Sequence, residues 1–181
     1  MIALHVADGQ EYPFLPDIVH RLQNALRTEV RPVRSFLNLS FAYDSSRNQY
    51  NSSAILRRLL DVLPPGSSKI ICLTDVDLFI PILTFVFGEA QLGGRAAVVS
   101  TARLVPSNVL PGDHRLFTTR LLKEAAHELG HTFGLVHCSV RECVMSRSAS
   151  LLEVDAKSAR FCSDCWTRYL DQRDHPGGTD E

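Results

Sequence analysis

Residues 127–137, reading His-Glu-Leu-Gly-His-Thr-Phe-Gly-Leu-Val-His, crowd three imidazoles and a carboxylate into one short run. On an α-helix each residue turns about 100°, so His127 and His131 stand about 40° apart, one turn above the other. Both imidazoles can then reach one metal ion from the same face. Glu128 is rotated about 100° from His127, too far round to be a natural third ligand, but well placed to hold a water on that metal. A continuing helix would carry His137 about 9 Å beyond His131 along the axis. Gly134 removes this obstacle, because glycine readily takes the left-handed conformation that ends a helix and reverses the chain. Three nitrogens leave the fourth position open for water, the arrangement of a catalytic rather than a structural zinc.

A second cluster follows. Cys138-x₄-Cys143 and Cys162-x₂-Cys165 supply two pairs of soft ligands at spacings suited to one tetrahedral zinc. Four thiolates leave no open position, so this ion would be structural. It would order the stretch from 138 to 162, which lacks apolar periodicity, and tie the loop after the active-site helix to a final helix. Arg141, Arg147, Lys157, Arg160 and Arg168 flank the cysteines in sequence and are expected to lower their thiol pKa values. The rivals are a redox Cys-x-x-Cys, which lacks the βαβ context, and disulfides, which a chain without an export signal disfavours. Cys72, among Ile70, Ile71 and Leu73, reads as a small buried hydrophobe.

The elements that must position these groups can be read around them. The chain has 181 residues, 45% of them apolar, and a formal net charge of -1. That suits one domain with a sizeable core, removes the electrostatic case for a nucleic-acid binder, and includes no run long enough for a membrane helix. Residues 1–9 lack a signal peptide's basic and apolar regions, so a cytoplasmic protein is expected, with no propeptide. Residues 2–6 read as a first strand and Asp17 to Arg27 as an amphipathic helix. Val30 to Phe36 reads as a strand that Pro32 confines to an edge. After the loop-like 44–51, Ser52 or Ser53 caps a helix that Pro64-Pro65-Gly66 ends. The continuous apolar run from Lys69 to Thr74 predicts a central strand buried on both faces. Residues 85–87 and 96–100 read as a hairpin. This alternation gives an α/β layered sheet. Composition shifts after Pro111-Gly112-Asp113, and the helix from 117 to 133 carries Leu122, Ala126, Leu129 and Phe133 on one stripe, which turns the ligand face outward into a cleft. Only Asp164 to Gln172 reads as a later helix, and 176–181 as a disordered tail.

These residues carry a resemblance. His127-Glu128-x-x-His131-x-x-Gly134-x-x-His137 is the metzincin signature, and with Cys138, Cys143, Met145 and Cys162-x-x-Cys165 it resembles the archaemetzincin (archaelysin) family of zinc metalloproteases. Residues 47–52 and 97–104 look familial as well. The resemblance implies an α+β zincin-like fold: a twisted mixed sheet with a backing helix, an active-site helix and a small zinc-stapled lower part. The chain would form one catalytic domain over 1–175, with an upper part at 1–134 and a lower part at 135–175. Met145 would pack beneath the imidazoles as a flexible apolar floor. The strand at 96–100 would lie at the cleft edge, where an extended peptide could add by β-pairing, and Gly93-Gly94 would let its approach flex.

The expected activity is hydrolysis of peptide bonds in a peptide or protein substrate. His127, His131 and His137 hold zinc, and Glu128 takes a proton from the zinc-bound water and returns it to the leaving amine. Two zinc ions are expected, one catalytic and one structural. The alternative is a zinc-bearing peptide-binding protein with little or no proteolytic activity, and hydrolysis of a non-peptide amide would use the same atoms. The intact Glu128 favours a peptidase, since a binding module needs no general base. Oligomeric state is unreadable. His5, His20, His114 and His175 read as solvated, Asp75 and Asp77 as turn caps or partners of Arg, and Arg47 and Tyr50 as residues that reach the cleft only if their loop covers it.

Overall fold

The structure is a computed structural model that describes residues 1–9, 11–33, 37–105 and 114–175. Its strands are β1 (Ile2–Val6), β2 (Val30–Val33), β3 (Tyr43–Asp44), β4 (Gln49–Asn51), β5 (Lys69–Thr74), β6 (Leu78–Phe79), β7 (Gly88–Ala90) and β8 (Ala96–Ser100). Its helices are α1 (Leu15–Leu26), α2 (Ser52–Asp61), α3 (Arg115–Thr132), α4 (Leu151–Ala156) and α5 (Ser163–Asp174). The main sheet runs β2-β1-β5-β8-β7, and β3-β4-β6 form a smaller one. In the main sheet only β7 is antiparallel, pairing Gly88 with Val99 and Ala90 with Ala97. The result is a mixed sheet between helices.

Side chains alternate across a strand, so each strand feeds two cores. Leu4, Ile71, Leu73, Ala97 and Val99 face α1 and α3, whereas Ala3, Ile70, Cys72, Ala96 and Val98 face the apolar side of α2. The central strand is buried on both faces as expected, Cys72 is fully enclosed, and β2 with its Pro32 is an edge strand. Burial pushes the Cys72 thiol pKa up. That thiol is inert packing.

Several elements differ from the sequence reading. The hairpin's first strand is Gly88–Ala90, not 85–87. Phe87 still accepts from the Ser100 N–H of β8 at 2.8 Å and Val86 bridges to Leu78 of β6, while the rings of Phe85 and Phe87 meet edge-on at 5.3 Å and Arg103 lies over Phe85 at 4.2 Å. Asn51, not Ser52 or Ser53, caps α2 by accepting from the Ala54 N–H at 2.9 Å. Ser53 instead donates to Glu89 at 2.8 Å. Residues 44–51 form a hairpin whose turn Asn48 enters at φ 54°, the left-handed region Asn tolerates. The short helix α4 escaped the reading because so few residues show no periodicity. A capping box marks it: Ser150 Oγ accepts from the Glu153 N–H, and Glu153 reaches back to the Ala149 N–H. His5 is buried within β1, because that strand lies between β2 and β5. Residues 34–36, the composition shift at 111–113 and the tail at 176–181 lie outside the described residues. Among the described residues no helix is long and apolar enough to cross a membrane.

Candidate metal centre

The helix α3 is buried almost all round, Arg120, Lys123 and Glu124 included, rather than along a single stripe. Its charged residues are matched. Arg120 donates to both carboxylate oxygens of Asp155 at 2.8 and 2.6 Å, and Lys123 to the carbonyls of Val154 and Asp155, which docks α4. At its C-terminus Gly134 adopts φ 80°; its N–H donates to the His131 carbonyl at 2.9 Å, and that of Leu135 to the Gly130 carbonyl at 3.2 Å. These two bonds are a Schellman motif, which satisfies the last carbonyls and turns the chain back. His137 therefore returns to the helix: its ring centroid lies 4.9 Å from that of His131 and 5.3 Å from that of His127. One ligand nitrogen from each of the three lies within 4.8 Å of the others.

Hydrogen bonding fixes the state of two imidazoles. Nδ1 of His127 lies 2.8 Å from the Val144 carbonyl, and Nδ1 of His131 lies 2.6 Å from the Leu135 carbonyl. A carbonyl only accepts, so each Nδ1 carries a proton and each neutral ring presents a bare Nε2 lone pair. Burial holds both pKa values below the usual range, so the rings are neutral at pH 7. The two Nε2 atoms nevertheless face each other at 3.1 Å. Two lone pairs at that distance repel unless a cation lies between them. Zinc at about 2.0–2.1 Å from each nitrogen would set tetrahedral neighbours about 3.3 Å apart, so the residues fit this ion.

Glu128 is buried beside them. Desolvation, reinforced by the negative charge of Glu124 one turn earlier, pushes its carboxyl pKa well above the usual range, and Lys157 opposes this. Lys157 forms a 2.9 Å ion pair with Glu124 and donates to the Ser146 carbonyl at 3.3 Å. Two glycines that the sequence reading passed over shape the site. A Cβ on Gly88 would lie 2.7 Å from Cγ of Glu128 and 2.9 Å from its Oε1, so the edge strand can approach the carboxylate only without a side chain. A Cβ on Gly130 would collide with the thioether of Met145, which is fully buried. An isolated glycine inside an otherwise regular helix was the available signal.

The imidazoles and Glu128 line a cleft of about 340 Å³ together with residues 83–90 and 147–149. The resemblance implies β8 at the cleft edge; β8 is interior, buried at all five positions, and β7 covers it as the edge strand. Ser100 N–H donates to Phe87 O and Gln91 N–H to Ala96 O, so by alternation the main-chain groups of Gly88 and Ala90 point away from β8. Nor do Gly93-Gly94 form a loose approach: Gly93 N–H donates to the His131 carbonyl at 2.9 Å, and Gly94 N–H closes the turn onto Gln91 O. Arg47 supports the cleft wall from outside, donating to the carbonyls of Leu83 and Thr84 at 2.8 and 3.2 Å. Tyr50 packs against Tyr43 instead. Asp77 is an arginine partner as expected, held by Arg103 at 2.6 and 2.7 Å, and also accepts from Gln49.

All five cysteines are reduced. The Sγ atoms of Cys138, Cys143, Cys162 and Cys165 lie within 4.8 Å of one another, and Cys138 and Cys162 are 3.8 Å apart. With Zn–S of about 2.3 Å a tetrahedron has edges of about 3.8 Å, so this cluster also fits zinc. Cys162 is the N-cap of α5, where the Cys165 backbone N–H holds its thiol pKa below the usual value; burial pushes those of Cys143 and Cys165 up. The flanking cations are not all gathered there. The chain after Met145 turns back to α3, so Lys157 is buried with Glu124 and Arg147 lines the histidine cleft.

Three imidazoles whose grouping fits zinc share this cleft with a carboxyl group, and by family the chain is a zinc metallopeptidase. Residues 40–171 match the model of Peptidase family M54. The chain is 42% identical to the archaemetzincin of Methanopyrus kandleri, across 98% of this chain and 99% of that one. A crystal structure of archaemetzincin from the same organism has a TM-score of 0.85 and 40% identity, covering 97% of this chain and 96% of that chain. One from Archaeoglobus fulgidus, complexed with malonate, has a TM-score of 0.78 and 34% identity, covering 93% and 99%. The protein belongs to the archaemetzincin family.

Proposed function

We propose that His127, His131 and His137 hold a catalytic zinc, that Glu128 is the general base, and that Cys138, Cys143, Cys162 and Cys165 hold a second, structural zinc. Bound on the three nitrogens, zinc supplies Lewis acidity toward a water and toward the carbonyl oxygen of the scissile bond. Glu128 then accepts the proton of the attacking water and delivers it to the departing amine. Its enclosure against Gly88 fixes the carboxylate and excludes bulk water. The outward-facing groups of Gly88 and Ala90 pair with an extended substrate backbone, a sequence-tolerant mode that suits peptides of varied side chains.

Gly134 and Met145 are support: one turns His137 home, and the other fills the floor under the helix. Residues 1–175 then act as one catalytic domain, with the strands and α3 above the cleft and the zinc-stapled 135–175 below it. The facing pair of unprotonated Nε2 atoms carries this reading. The test is digestion of a defined peptide mixture by zinc-loaded protein, with and without a chelator. Hydrolysis that the chelator abolishes supports the peptidase, whereas peptide binding without hydrolysis assigns a binding protein.

A further inference from the structure

Among the described residues, the cleft lining carries one Lys or Arg side chain, and the proposed reaction does not use it. Arg147 stands two residues after Met145 and is exposed on the lining of the cleft. It is close enough to His137 to act electrostatically on that ring. Among the described residues it has no hydrogen bond and no ion pair, unlike Lys157, Arg103 and Arg120, each of which meets a carboxylate within 2.9 Å. The nearby Glu153 is committed to the Ala149 N–H and the Ser150 hydroxyl. Glu124, the other acid on the cleft lining beside Glu128, is matched by Lys157. Glu89 also lines the cleft, and its carboxylate accepts from the Ser53 hydroxyl of α2. Arg147 acts electrostatically on Glu153 but donates to no carboxylate among the described residues, which leaves its guanidinium fork open to one.

We propose that Arg147 is a specificity-determining residue, which selects substrates carrying a carboxylate close to the scissile bond. The proposal rests on the peptidase reading above and adds the substrate class. Two sources of that carboxylate are chemically equivalent here: an acidic side chain near the cleaved bond, and the free C-terminus of a short peptide.

The test compares wild type, Arg147→Gln and Arg147→Glu, all zinc-loaded, on a mixture of peptides whose members differ by Glu against Gln or Lys at each position, each made as C-terminal acid and amide. Wild type is expected to favour the carboxylate peptides by about tenfold, Arg147→Gln to lose the preference, and Arg147→Glu to turn it toward Lys. A preference that follows the Glu position assigns the side chain; one that vanishes on amidation assigns the chain end. Equal selectivity in all three proteins would overturn the proposal while leaving the peptidase standing. Peptide binding to Glu128→Gln protein, read by fluorescence anisotropy with and without Arg147→Glu, provides a readout independent of turnover. If zinc-loaded wild type cleaves nothing, the peptidase reading fails, and this binding comparison still decides the role of Arg147.

Discussion

The backbone of Gly88 lies against the side chain of Glu128, leaving no room for a Cβ, which would fall 2.7 Å from Cγ of the glutamate and 2.7 Å from the Val98 carbonyl oxygen. The edge strand therefore sets where the Glu128 carboxylate can sit. Gly88→Ala should displace one or the other, at about 1–3 kcal/mol of stability by overpacking. Turnover should fall about 10²-fold from misplacement of order 1 Å. Zinc content should be unchanged, because the imidazoles are held from other elements. Thermal melts, metal analysis and peptide digestion together check this; full activity in the variant would refute the contact.

Glu128→Gln keeps the shape of the side chain and removes its basicity. Both zinc equivalents should remain, and kcat should drop by about 10²–10⁴. A variant as active as wild type would remove Glu128 from the mechanism.

Gly130 lies under Met145, where a Cβ would overlap the sulfur. Alanine in a helix interior is normally better than glycine by about 1 kcal/mol. Here the sign should reverse. Gly130→Ala is expected to destabilise, Met145→Ala to cost about 2–5 kcal/mol, and the double variant to cost less than the sum by at least about 0.5 kcal/mol. Additive denaturation energies would show that the two do not touch.

The two metal sites should be separable. Cys165→Ser is expected to remove the thiolate-bound equivalent and loosen residues 138–162, seen as faster hydrogen exchange there, while His131→Ala should remove the other equivalent with little change in that region. One equivalent in the wild-type protein would contradict the pair of sites.

Asp77 buttresses the cleft wall through Arg103 and Gln49, and those bonds hold its carboxyl pKa below the usual carboxylate value. A depressed folded pKa gives stability that is present above the unfolded value of about 3.9 and lost as pH falls through the folded one. Asp77→Asn should therefore cost about 1 kcal/mol at pH 7, and the gap from wild type should close in acid below about pH 4. A gap independent of pH would point to shape rather than charge.

The legible parts of this molecule were those encoded by residue type at fixed spacing. His127, His131 and His137 converge because Gly134 ends the helix, and both facts are local. The apolar runs in β5 and β8 likewise declare buried strands. What escaped depends on distant contacts. The edge strand at Gly88–Ala90 has little β-propensity of its own and is fixed by β8 and by the space Glu128 takes. Lys157 looked like a neighbour of the thiolates in sequence, yet it is buried against Glu124 on α3. His5 reads as polar and solvated until β2 and β5 enclose it. The helix α4 was marked by Ser150 and Glu153, a capping box in a segment with no periodicity.

A crystal structure of zinc-loaded protein, with anomalous data collected on both sides of the zinc edge, locates the ions outright. A peak is expected about 2.0–2.1 Å from Nε2 of His127 and of His131 and from one ring nitrogen of His137, with Glu128 beside it but not coordinating. A second peak should lie among the four Sγ atoms. Zinc absent from the three imidazoles, or coordinated directly by Glu128, would contradict the proposed catalytic site.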